Sequence, residues 1–588
     1  MSKNLKRMAV VLATAAVFST VACSATGAGG GDAQGEPVTG GTLKVLANGD
    51  VDRLDPQLTA YVPVAGVMRA ISRSLVSYPT SNDADKRIVP EGDLAEALPE
   101  ESNDGLTYTL KLRDGITWGA PDGARDIVAD DVARGIKRLC NPHISGAMLG
   151  YYQELIEGMD AFCNDFQAVA PEAEAMKAYI EGNDISGVKA LDEKTVEFTL
   201  TEPASDFVYM LSLSAADPAP IEALSYLPDS PEYRNNFVSS GPYAVASHTP
   251  DAELKLVRNE AWDPKSDTLR KAYVDEIVMT MGVEGDAAMQ QLQAGSADML
   301  FDLRPSPANI EQLKAKNDTK LSTMANGGVD QFMWLNNISE NNNGALKDIK
   351  VRQAIQYAID KAAVVQTMGG EDLATVNNGI FGPGILGYEE YDPYPTKGSK
   401  GDPEKSKALL AEAGYPDGIT LKFPYRNAGT QPDIAQTVQA SLEKAGFTVE
   451  LSPVPPTDYY ANYMSNHENA KSGEWDIAMV GWSPDWQGGA ARSVFQPQFV
   501  FTGTPQTYNY LDYNNEKANA LAKEALTAAT PEESAKKWHE VDQAVLEDAV
   551  ILGVASTLKA NYHSERIGGF APYAMSQNGD WVNVWIKQ

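Results

Sequence analysis

The chain is poor in the residues that build redox and metal centres, with three Cys and five His among 588 positions. That leaves little material for His/Cys metal chemistry, so neither a metal nor a cofactor is expected. Positive charge is scarce too: 48 Lys and Arg stand against 80 Asp and Glu, a formal charge of −32. Such a field repels phosphate backbones and anionic membrane surfaces, which argues against a nucleic-acid partner. The same surplus also keeps a secreted protein soluble. Charged residues are only 22% of the chain and apolar ones 43%, which excludes a disordered polymer and supplies cores for two or three domains. Beyond residue 22 no stretch is apolar and long enough to span a bilayer, and no fixed-period repeat is present.

Catalytic patterns are also missing. There is no Gly-x4-Gly-Lys-Ser/Thr phosphate loop. His467-Glu468 opens a zinc-protease-like string, but Lys471 stands where the second His is needed. Gly382, Gly384 and Gly387 match a dinucleotide-binding spacing, yet Pro383 interrupts it and a Tyr/Pro-rich stretch follows, so the glycines read as a loop. Ser441-x-x-Lys444, Ser339-x-Asn341 and Lys471-Ser472-Gly473 are β-lactamase-like fragments in the wrong order. The chain is therefore read as a non-enzyme, with an exported, motif-free hydrolase as the minority alternative.

What is present begins with an address. Lys3, Lys6 and Arg7 precede an uncharged apolar run over residues 8–22, too short for a comfortable membrane span but suited to a signal peptide. It ends in Thr20-Val21-Ala22-Cys23, which resembles a bacterial lipobox with Thr20 where Leu is usual. By that resemblance residues 1–22 are removed and Cys23 is lipidated. An ordinary secretory cut is the other reading. Residues 23–37 form a small-residue, Gly-rich tether, placing the folded body on the extracytoplasmic face of the cell membrane, held by lipid alone. In an exported chain, Cys140 and Cys163 read as a disulfide contributing about 3 kcal/mol on the chain-entropy model, or else as two separate buried thiols.

Short β-branched or aromatic runs at 42–46, 108–112, 195–200, 254–257, 277–281, 420–423 and 477–481 read as strands. Amphipathic spacing predicts helices over 348–363, 403–413, 434–445 and 532–548, with Gly414 and Gly446 as C-terminal caps. The helix-then-strand order from 346 to 482 implies an α/β layer on a mainly parallel sheet.

Longer strings recur in order: Leu54-Asp55-Pro56, Asp93-Leu94-Ala95, Asp104-Gly105-Leu106-Thr107-Tyr108, Lys137-Arg138, Ser240-Gly241-Pro242-Tyr243, Val351-Arg352-Gln353-Ala354 and Gly481-Trp482-Ser483-Pro484-Asp485. Together they resemble, over residues 38–588, the extracytoplasmic solute-binding proteins of peptide ABC importers, the dipeptide/oligopeptide-binding type. Each string alone is a turn, cap or core pattern, so they speak for architecture before ligand.

The resemblance implies an α/β, two-lobed periplasmic-binding-protein-like fold of the class II type, with an extra domain inserted in the first lobe. Lobe I would take 38–78, 187–303 and 550–588, the inserted domain 79–186 and lobe II 304–549. The implied function is capture of a peptide in the interlobe cleft and delivery to a membrane permease with its ATPase subunits, by a monomer. An oligosaccharide, metal chelate or opine on the same scaffold is the alternative. Asp485, the aspartate of the W-x-x-D string, would pair with the peptide α-ammonium. Trp482 either walls the cleft or packs. Arg426, after the strand at 420–423, is either a partner for the ligand carboxylate or a surface arginine. Tyr243, Trp334 and Asn336 are further lining candidates, the last two as readily a core strand end.

Overall fold

Alternation of apolar and polar residues in Thr42–Leu46 seats Leu43 and Val45 in a core, and this strand lies inside the first sheet. The structure is a computed structural model that describes residues 35–588 other than 60, 121–122, 145, 147, 326, 502, 504–507, 577 and 588. Residues 1–34, including the lipobox and Cys23, lie outside the described residues.

In the first sheet the order is Tyr243–Thr249, Glu253–Arg258, Glu276–Thr280, Thr42–Leu46, Met299–Leu300. Thr42–Leu46 runs parallel to Glu276–Thr280 and Met299–Leu300, and an antiparallel hairpin completes the other edge. Gly241, in the Ser-Gly-Pro-Tyr string, lets the chain approach the helix Ala65–Ile71. A Cβ there would stand 2.4 Å from the Ala70 carbonyl oxygen.

The second sheet has the order Leu321–Ala325, Ile551–Tyr562, Val329–Leu335, Ile477–Trp482, with Ala374–Val376 also on Ile551–Tyr562. Ile551–Tyr562 pairs with three strands and is buried along nearly its whole length, which is why it reads as a continuous apolar run rather than an alternating one. Every pairing in this sheet is antiparallel. This corrects the expected parallel sheet: the helix–strand alternation is real, but partners distant in sequence, 329–335 and 551–562, enter between its strands. Parallel pairing in this region is confined to Thr420–Arg426 with Thr448–Val454.

A third, antiparallel sheet joins Glu100–Ser102, Thr107–Lys111, Thr195–Thr199 and Val188–Ala190. Its first hairpin turns at Asn103, Asp104 and Gly105, all with positive φ. Helices Ala129–Arg138 and Met159–Phe166 lie in this part of the chain, and a disulfide joins Cys140, just after the first, to Cys163 within the second.

The divisions drawn from sequence at 187 and 550 do not coincide with these sheets. Val188–Thr199 pairs with 107–111, and Ile551–Tyr562 pairs with 321–335.

The seven anticipated strands all form, six within one residue of their ends, while 420–423 runs on three residues to Arg426. Of the helices, 348–363 is in fact two, Ile349–Ala358 and Lys361–Thr367. The Asp360 side chain accepts from the Ala363 N–H and so begins a second helix where the apolar stripe alone reads through. The other three are Pro403–Glu412, Gln431–Lys444 and Pro531–Glu547. Gly414 and Gly446 follow their helices at φ of 92° and 93°.

Several recurrent strings prove to be buried ion pairs that tie these layers together. Asp55 receives both Nη atoms of Arg138. Asp93 receives Arg73 Nε at 2.8 Å and Arg270 Nη2 at 2.7 Å.

Candidate functional site

The strand Ile477–Trp482 is buried through Val480 and then emerges into a loop that returns as the helix Ala491–Phe499. Ser493 at the start of that helix closes the loop twice. Its carbonyl accepts from Trp482 Nε1 at 2.9 Å and its hydroxyl oxygen accepts from the Asp485 N–H at 3.2 Å. Beyond, Trp486 is buried and donates to the Gly489 carbonyl at 2.9 Å, while Tyr78 donates its hydroxyl to the Gln487 carbonyl at 3.0 Å. Asp485 is thus carried on a pinned loop at a strand end, where α/β proteins place ligand-binding groups.

Its carboxylate accepts a hydrogen bond from the hydroxyl of Tyr151, whose ring stands edge-on to Trp486 with centroids 4.9 Å apart. Burial pushes the Asp485 carboxyl up to about 6, against the pull of the Tyr151 hydrogen bond. Tyr151 itself is raised well above the ordinary tyrosine range by burial and by Asp485.

Ser483, Pro484, Asp485 and Gln487 line a cleft of about 1010 Å³, counted out to its open mouth. The helix Ala65–Ile71 and the segments around Ser72, Ser212–Asp217 and Tyr573–Met575 also contribute to its walls. The arginines on these walls are occupied. Arg69 donates to Asp580 at 3.0 Å and lies 4.0 Å from the Tyr573 ring centre, and Arg270 is held by Asp93 and Asp267. Despite its burial, Asp267 is held far below the carboxylate range by Arg270 and Arg73.

Of the residues singled out in the sequence, Asp485 lines this cleft and the others do not. Trp482 packs: its ring meets Tyr508 at 5.0 Å and its N–H is spent on Ser493. Arg426 is half-buried, lies 5.7 Å from the Tyr460 ring centre and is not among the residues that line the cleft. Tyr243 is wholly buried in the first sheet, donating to the Val274 carbonyl at 3.0 Å. Trp334 stacks on Phe499 in the core of the second sheet, and Asn336 donates to the carbonyls of Ala470 at 2.9 Å and Trp475 at 2.7 Å. All three are wholly buried: Tyr243 at the start of an edge strand, Trp334 on the interior strand Val329–Leu335 and Asn336 just after it.

Sequence reasoning missed Tyr151, Arg69, Asp217 and Tyr573. Asp217 did leave a signal, a lone acid in the small-residue run Ala215-Ala216-Asp217-Pro218. Among the described residues no cluster of His, Cys, Asp and Glu is arranged to hold a metal, and no helix is long and apolar enough to cross a membrane. Ser441, of the β-lactamase-like fragment, lies within the helix Gln431–Lys444 and donates back to the Thr437 carbonyl at 3.0 Å.

The family model described as bacterial extracellular solute-binding proteins, family 5 Middle, matches residues 89–489, more than half of the chain. Heme-binding protein A of Haemophilus influenzae is 27% identical, over 81% of this chain and 82% of its own length. The dipeptide-binding protein of Escherichia coli is 28% identical over 70% of each. Among solved structures, a clavulanic acid biosynthesis oligopeptide binding protein superposes with a TM-score of 0.81 at 26% identity, covering 94% of this chain and 96% of the other.

Proposed function

This chain belongs to the bacterial extracellular solute-binding proteins of family 5, and on that premise we propose that its cleft captures a peptide by the free amino terminus for delivery to an ABC permease. The observation that carries the reading is Asp485. It is a recessed carboxylate on the cleft wall with a hydroxyl as its side-chain partner and, among the described residues, no ion pair. An α-ammonium supplies the missing counter-charge, and in a cleft with little water that charged hydrogen bond is strong. Relatives and neighbours named for dipeptides and oligopeptides support the same ligand class.

The working step is closure of the part built on the first sheet against the part built on the second, with the ligand between them. The protein works as a monomer, held at the extracytoplasmic face by a lipid on Cys23, and the inserted region carrying the Cys140–Cys163 disulfide supplies Tyr151 to the cleft. Handing the ligand to a permease driven by its own ATPase needs no bond chemistry in this chain.

Mass spectrometry of small molecules carried through purification tests the ligand class directly. A set of co-purified peptides supports the reading, and a single non-peptide solute without an amine overturns it. Detergent partition of Cys23→Ala tests the anchor: release from the membrane fraction is expected, and unchanged retention counts against lipidation.

A further inference from the structure

Asp217 lines the same cleft as the Asp485 loop, in the segment that follows Ser214, and is 1% exposed. Its Oδ2 accepts the Ser72 hydroxyl at 2.5 Å, and its backbone carbonyl accepts Gln57 Nε2 at 2.8 Å. Its Oδ1 makes no hydrogen bond, and Ser74, like Ser72, stands near enough to the carboxyl to lower it against burial. A buried carboxylate oxygen left without a donor is costly and uncommon in a folded protein.

The cations nearest at hand are already engaged. Arg270 is taken by Asp93 and Asp267, and Arg69 by Asp580 and the carbonyls of Tyr78 and Leu269. Lys559, the remaining cation of the lining, is engaged as well. Among the described residues Asp217 forms no ion pair, so its open oxygen is matched by nothing in the walls. Burial pushes this carboxyl up to about 7, a cost that an arriving cation would offset.

We infer that Asp217 is a second ligand-holding carboxyl, which receives an ammonium or guanidinium on a side chain of the bound peptide, so that the cleft prefers basic peptides to neutral or acidic ones. The inference rests on the reading of this cleft as a peptide site. In the ionised form the open atom can only accept, so a donor is required, and a charged donor is favoured because it both fixes that form and meets a buried carboxyl. An acidic side chain at the same place would set two carboxylates together.

Calorimetric titration with free-amine tripeptides tests this. Tri-alanine is compared with variants that carry Lys, norleucine or Glu at the second or third position. At one of these positions Lys should bind about tenfold or more tightly than norleucine, which matches its chain length without the charge, and Glu more weakly than either. Asp217→Asn should bring the Lys-to-norleucine ratio close to one, whereas Asp485→Asn should weaken all free-amine peptides and keep the ratio. Circular dichroism confirms that each variant is folded. A wild-type ratio of one at both positions overturns the inference whatever the variants do, as does a ratio that survives Asp217→Asn.

If wild type binds none of these peptides, the peptide reading falls by itself. Spermidine, a polyamine without a peptide backbone, then decides Asp217. Binding lost in Asp217→Asn sustains it, and absence of binding to wild type overturns it.

Discussion

Asp93 and Asp485 are both recessed carboxyls close to the same cleft, and their surroundings differ. Asp93 sits between Arg73 and Arg270, and the second carboxylate of that cluster, Asp267, completes two acids against two bases. Asp485 has the Tyr151 hydroxyl as its side-chain partner. The first arrangement is electrically finished and ties segments 73, 93 and 267–270 together. The second is unfinished, and its missing charge is what a ligand brings. Buried charge by itself marks neither structure nor function, and what separates them is whether the counter-charge comes from the chain.

The comparison breaks most visibly at Asp93. Asp93→Asn leaves two buried guanidinium groups with one carboxylate, and about 3–5 kcal/mol of folding stability should be lost in urea denaturation. A loss below about 1 kcal/mol would mean that the cluster is not the structural tie described.

Asp485→Asn should act on binding instead. It is expected to cost about 2–5 kcal/mol of affinity for a free-amine tripeptide by calorimetry, and almost nothing for the N-acetylated peptide, which binds weakly to both proteins. Equal affinity for the free-amine peptide would remove Asp485 from the site.

Acid sharpens the same contrast. The Asp485 carboxyl is raised in the folded state to about 6 from its ordinary value of 3.8. A proton therefore competes with the ammonium below pH 6, and wild-type affinity should fall by up to tenfold per pH unit there, while Asp485→Asn shows no such slope. For the unliganded fold the sign is opposite. A raised carboxyl pKa gives stability that is present in acid and lost as pH rises from about 4 to 6, and Asp485→Asn should flatten that part of the urea-midpoint profile. Asp217 and Asp542, both raised by burial to about 7, extend the remaining slope by a further unit.

Tyr151→Phe is a smaller perturbation. It removes the one hydrogen bond that lowers the Asp485 carboxyl, so the pH at which affinity is half lost should move upward. A midpoint that stays in place would show that the tyrosine does not hold the carboxylate in solution. The smallest effect is expected at Arg426, where Arg426→Ala should leave peptide affinity within about twofold, since this half-buried arginine lies on the Tyr460 ring and is not part of the cleft lining. A tenfold loss would return Arg426 to the site.

Much of the local structure was legible without coordinates because it depends on near neighbours in the chain. Alternation in Thr42–Leu46, the caps at Gly414 and Gly446 and the turn at Asp104-Gly105 all rest on interactions within a few residues. Asp360 was the exception among helices: a cap inside an unbroken apolar stripe is visible only when the backbone is seen to turn. Family membership was legible as well, through strings whose carboxylates and guanidinium groups proved to pair across the fold, as Asp55 does with Arg138.

The sequence by itself determined most of the local elements it was read for, the α/β class and the loop that carries Asp485. Only the tertiary structure decided the neighbours. It placed Tyr151 on Asp485 across 334 positions of chain, and it ran 551–562 antiparallel through the second sheet. It also left one oxygen of Asp217 open while matching every charge on Asp93. Trp334 and Asn336 went into the core for the same reason: a strand's pattern says which residues share a face, but which face meets a cleft depends on strands recruited from elsewhere. Periodicity is a property of a few consecutive residues, whereas a charge balance is a sum over everything that packs around one atom.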